Sequence, residues 1–182
     1  MLKPRILLPA VGVCALVASG CFMTQAQVFT HFDLPSPFTI DSGSTLLERI
    51  PVDLNTIPDY RKHKDNLNGL SDAAVVGKFT NIAGGAGSVE IWITPDATSY
   101  TTIAQVKANG TLMWSGSIGA TGSVHTVDWD ESARLFNSAG KAILIHEAKG
   151  DGVFTIYAFG TQGVYTIKVE DGSIMLTIDG GV

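Results

Sequence analysis

Apolar and polar positions alternate in several stretches of this chain. Over residues 88–94, Val89, Ile91 and Ile93 fall on one side, with Ser88, Glu90, Trp92 and Thr94 on the other. Residues 164–170 repeat the pattern with Tyr165, Ile167 and Val169, and residues 173–179 with Ile174, Leu176 and Ile178. A period of two predicts strands with one face buried and one wet. Asp171-Gly172 separates the last two runs. That dipeptide accepts positive φ, so a tight hairpin is predicted there. Runs at 74–82, 142–146 and 153–159 are apolar on both faces and read as doubly covered strands. The glycine-rich 148–152 would join the last two as a hairpin, and 82–87 reads as a further hairpin loop. Segments 45–54, 111–118 and 124–129 bring the set to about nine strands. Pro51 confines the first of these to a sheet edge or a bulge.

Two segments read as helices. Residues 101–109 end at Gly110. Residues 130–139 have Asp130 as candidate N-cap, Leu135 and Phe136 turned inward and Gly140 as stop. The polar stretch 58–65 reads as a short helical or irregular turn. No internal repeat is present, and helices long enough to cross over between parallel strands do not fit. The expected fold is all-β: a two-layer antiparallel β-sandwich, Ig-like or jelly-roll, with one or two short helices.

The first twenty residues follow other rules. Lys3 and Arg5 precede an uncharged apolar run of 13 residues at 6–18, followed by small residues. This is the layout of a secretory signal peptide, and the run is short for a bilayer span. Val17-Ala18-Ser19-Gly20-Cys21 resembles the lipobox of bacterial lipoproteins, with Ala18 where that family most often has Leu. The resemblance covers the leader alone. It implies cleavage before Cys21, acylation of that cysteine, and a tether in the bacterial cell envelope. Phe22 in place of Asp implies the outer membrane where the host has one. The alternative is ordinary cleavage and a secreted soluble protein. On this reading residues 1–20 are the lipoprotein signal peptide, 21–36 an anchor and linker, and 37–182 the sandwich domain.

Composition fits that picture. The chain has 182 residues and two cysteines, Cys14 and Cys21, and the first lies in the leader. No disulfide can form within a chain cut before Cys21, and acylation would remove an otherwise exposed thiol. Loss of Lys3 and Arg5 leaves 10 basic and 17 acidic residues, an acidic balance that argues against nucleic acid as partner.

Signals for chemistry are sparse. Asp128, Asp130 and Glu131 offer oxygen ligands, but the rest of a Ca²⁺ loop is missing, and helix capping explains them better. His31, His63, His125 and His146 have no metal-ligand spacing, and His146 reads as a core imidazole. No Gly-x-Ser-x-Gly occurs, and Ser115-Gly116-Ser117 reads as turn chemistry. No metal, cofactor or catalytic residue is assigned. Trp92, placed opposite the apolar face of its strand, is the main candidate contact, with Tyr100 and Trp114 as companions. Three functions follow as expectations. The first is a lipid-anchored, non-catalytic module with the membrane and a protein or polysaccharide as partners. The second is a carbohydrate- or polymer-binding module using exposed aromatics, and the third a hydrolase with unidentified carboxylates.

Overall fold

The computed structural model describes residues 25–34, 37–42, 47–95, 99–161 and 163–181. Its strands are β1 (Gln25–Asp33), β2 (Phe38–Asp41), β3 (Glu48–Asp53), β4 (Leu67–Gly84), β5 (Gly87–Pro95), β6 (Thr111–Ile118), β7 (Val124–Val127), β8 (Val153–Thr161) and β9 (Tyr165–Gly181). Its α-helices are α1 (Pro58–His63), α2 (Ile103–Asn109), α3 (Trp129–Leu135) and α4 (Ser138–Lys149).

The strands form two antiparallel sheets. One runs β1-β9-β4-β7, with β2 continuing the β1 edge along β9. The other runs β3-β8-β5-β6. With β1 and β2 taken as one edge, the chain crosses between sheets at β2–β3, β3–β4, β4–β5, β6–β7, β7–β8 and β8–β9. That alternation of two four-stranded layers is the jelly-roll form of the sandwich. The inner faces are those the alternation marks. Val89, Ile91 and Ile93 meet Tyr165, Ile167, Val169, Ile174, Leu176 and Ile178, and all are buried. Pro51 lies on β3, an edge strand, opposite Thr155.

Several local expectations are corrected. Asp171-Gly172 is not a hairpin turn. It is a bulge inside one continuous strand, β9, where two residues oppose Gly77 of β4. Asp171 takes its positive φ of 53° within that bulge. A Cβ on Gly77 would lie 3.1 Å from the Gly172 Cα, so the two strands touch backbone to backbone there. Neighbouring strands satisfy both halves of β9, and a bulge bends it without ending the ladder. The loop at 84–87 links two sheets and is not a hairpin. Residues 25–33, read as linker, pair with β9 over their whole length.

Residues 142–146 are helical. A short apolar run has no period of its own, and length and flanks decide it. Gly140, Leu144 and Ala148 are buried at a spacing of four, the stripe of a helix packed on one side. Asn137 caps α4, its Oδ1 accepting from the Ala139 and Gly140 amides. Gly140 is therefore inside a helix and stops nothing. His146 is exposed on α4 and is not a core imidazole. The cap of α3 is Asp128, which accepts from the Glu131 amide at 2.9 Å, and not Asp130. Leu135 is 40% exposed, whereas Phe136 packs on the core and bridges to Trp114. Gly110 ends α2 with φ −97°, so its need is space and not positive φ; a Cβ would lie 2.8 Å from the Val106 carbonyl oxygen. Among the described residues four α-helices thus stand where one or two were expected.

Two buried tyrosines tie distant segments together. The Tyr60 hydroxyl of α1 donates to the Ala148 carbonyl at 2.6 Å, and burial, with Asp151 and Asp53 nearby, pushes its pKa up to about 12. It stays a neutral donor at any ordinary pH. The Tyr165 hydroxyl of β9 donates to the Thr161 carbonyl at 2.6 Å and also meets the Ser88 carbonyl, which joins the two sheets. Burial pushes this hydroxyl up as well. Gly87 leaves room for its ring, which a Cβ would overlap.

Candidate functional site

The site lies on the outer face of β5, β6 and β8, the side that alternation leaves wet. Cross-strand register sets its order. Ser88 sits between Ser117 and Thr161, Glu90 between Ser115 and Phe159, and Trp92 between Leu112 and Tyr157. Successive rows stand about 7 Å apart along the strands. The face therefore grades from a hydroxyl row through a carboxylate to an aromatic row. Ser88 and Thr161 hydroxyls are 2.7 Å apart. Ser115 and Ser117 belong to β6 and not to a turn, because Gly116 between them faces inward above Trp114.

Beside the hydroxyl rows lies an open groove of about 410 Å³, lined by Ser88, Glu90, Ser115, Gly116, Ser117, Glu131, Leu135 and Thr161. Glu131 enters from α3, where its Oε1 lies 2.8 Å from His125 Nε2. Glu90 holds the other end. Its Oε2 accepts from Trp92 Nε1 at 2.8 Å and from Lys107 Nζ at 2.9 Å. Lys107 reaches down from α2, 5.7 Å from the Trp92 ring centroid and 5.5 Å from that of Phe159. A cation above aromatic faces and beside a carboxylate is satisfied on both counts.

The structure brings Trp92 and Tyr100 into one cluster. Trp92 stacks on Phe159 at 6.3 Å and 20°, and Tyr100 lies 6.2 Å from Tyr157 with its amide donating to the Tyr157 hydroxyl. Both are half-buried, packed against the cluster of Val106 from α2 with Tyr157 and Phe159, on which Ile103 of α2 also packs. A capping box between Thr102 and Gln105 fixes the start of that helix.

Trp114 does not belong to this surface. It is 1% exposed on the opposite, inner face, stacked on Phe79 at 5.9 Å. The register of β5 against β6 shifts at Ile91/Trp92, so Trp114 faces Ile91 and Leu112 faces Trp92. This bulge could not be read from single-strand alternation. Cys21 lies outside the described residues.

Sequence reading assigns none of Ser115, Ser117, Thr161, Glu131 and Lys107 to this face; it gives the two serines to a turn and Glu131 to helix capping. The polar half of the strand alternation pointed to the first three once β5, β6 and β8 are adjacent. Chemically, the face offers hydroxyls, two carboxylates and a half-covered indole, groups that exchange hydrogen bonds with polar or polyhydroxylated surfaces. Among the described residues no group of three His, Cys, Asp or Glu could hold a metal ion. None of the described helices is long and apolar enough to cross a membrane.

No family model matches this chain, and no curated protein does. Among solved structures it is similar to that of Cocksfoot mottle virus, with 15% identity and TM-score 0.38 over 100% of this chain and 97% of the other. Turnip yellow mosaic virus gives 14% and 0.34 over 100% and 89%. A Bacillus endospore appendage, described as a disulfide-linked pilus, gives 17% and 0.26 over 87% and 89%. With TM-scores below 0.5, fold and function rest on this chain's own sheets and residues.

Proposed function

We propose that the chain is a lipid-anchored, non-catalytic β-sandwich of the bacterial cell envelope that acts through its surface as an interaction or structural module. The observation that supports it most is the apolar leader that ends at Cys21, just ahead of a two-sheet sandwich. Gln25, where β1 begins, is four residues after Cys21. Four residues span at most about 14 Å. An acylated Cys21 would hold the sandwich against the membrane surface with little slack. Two or three acyl chains anchor stably, where one binds marginally. Cys21→Ser should move the protein from the membrane fraction of its bacterial host to the soluble fraction. Unchanged partitioning rejects the anchor.

A second reading, binding of a carbohydrate or similar polymer, is favoured by the groove beside Glu90. Its hydroxyl rows and two carboxylates match the hydrogen-bonding demands of a sugar chain better than those of an apolar ligand. Here Trp92 flanks the groove and Trp114 takes no part. If the reading is right, cellohexaose or chitohexaose binds, and Ser117→Arg, which fills the groove from an exposed position, weakens binding at least about tenfold. Calorimetry checks this, with the unfolding midpoint as control. Equal affinity in the variant removes the groove from the reading.

A further inference from the structure

We propose that β1 is a docking edge for a second copy of this chain, whose own β1 pairs antiparallel with it about a two-fold axis beside Phe29. An unpaired sheet edge is a template for another strand, and proteins blunt it with proline, charge, short length or a covering element. Most edges of this sandwich are blunted. β3 carries Pro51, and β7 is four residues long. Beyond β7, the Val75 amide of β4 donates to Ser132 Oγ of α3. On β6, Trp114 bridges to Phe136, and the Asn137 amide donates to the Met113 carbonyl at 2.8 Å.

β1 differs from all of these. It is nine residues long and ends its sheet with no further strand beside it among the described residues. It contains no proline, lysine or arginine. Although α1 packs near it, Gln27, Phe29, His31 and Asp33 on its outward face all stay exposed. Phe29, the middle residue, is 69% exposed.

The residues along β1 complement a second copy of the same strand. With Phe29 opposite its own copy, Gln27 faces His31, and Asp33, 4.0 Å from His31 on its own strand, faces the uncharged position 25. No like charges oppose, and each exposed ring is covered by the other. The contact is isologous, so it closes at two copies and joins two four-stranded sheets into one. Nothing here depends on the lipid, so the unacylated protein serves as the test.

Residues 21–182 with Cys21→Ser should sediment as a dimer at about 100 µM, and Phe29→Lys should raise the dimer dissociation constant at least about tenfold while the thermal midpoint is kept. Facing residues of an antiparallel pair have Cα atoms about 4.5–5.5 Å apart, within disulfide range. Phe29→Cys should therefore cross-link when copper phenanthroline and oxygen are added. Two thiols lose two electrons and two protons to oxygen as the S–S bond forms. His31→Cys faces Gln27 and should not cross-link. A monomeric protein, a dimer indifferent to Phe29→Lys, or equal cross-linking at both positions would overturn the proposal.

Discussion

Trp114→Ala is expected to cost about 3–5 kcal/mol of stability, the range for deleting a large buried aromatic. The indole is nearly inaccessible, is stacked on Phe79 at 5.9 Å, and lies under Gly116, whose missing side chain makes room for the ring. Alanine leaves a cavity walled by Phe79, Val89, Ile118 and Val127, on two sheets that cannot both collapse inward. Domains of this kind have about 5–15 kcal/mol in total, so the loss would remove a large share of the stability. Trp114→Phe should cost much less. The indole N–H has no hydrogen-bond partner among the described residues, so only volume is lost and no bond is broken. Urea unfolding of both variants gives the comparison. A small effect of Trp114→Ala would mean that the residue is not core and would reopen it as a contact.

The second large effect is at Gly140. The start of α4 lies directly on the backbone of β6: a Cβ there would be 2.5 Å from the Met113 Cα and closer still to the Leu112 carbonyl oxygen. Alanine favours a helix over glycine by about 1 kcal/mol. Here that gain is outweighed, because the obstacle is backbone and the whole helix would have to lift, carrying Leu144 and Ala148 out of the core. Gly140→Val should lose about 3 kcal/mol and Gly140→Ala about 1–2 kcal/mol, in line with overpacking elsewhere. Gly85→Ala is the control. Nothing lies within 4 Å of a Cβ placed there, and its stability should change by no more than about 0.5 kcal/mol. Equal effects at the two positions would refute the close approach of α4 to β6.

These two positions mark where sequence reasoning holds and where it stops. The faces of β5 and β9 were legible because a half-buried strand must alternate, and every apolar residue singled out there is buried. Trp114 sits one residue beyond Met113, and both are buried, so no alternation assigns them to opposite faces. The shift in register against β5 decides it. Likewise 142–146 carries no period of its own, and the β6 surface on which Gly140 rests made it a helix. Asp171-Gly172 has the chemistry of a tight turn, yet partners on both sides of β9 hold it in a bulge, because the ladder satisfies more backbone groups than a hairpin there would.

The candidate site shows the same division. Glu90 and Trp92 were legible as the wet side of one strand. Their neighbours from β6, β8, α2 and α3 lie well apart from them in the chain, and only the packing order of the elements brings them within reach. By itself the sequence determined the class of fold, the inward-facing set on each alternating strand, the edge position of Pro51 and the acidic balance. Tertiary structure alone decided which strands are neighbours, which short apolar run coils, and which aromatic rings meet water. Local patterns record how each segment divides between core and solvent. Pairing between distant segments depends on shape and register summed over the whole molecule.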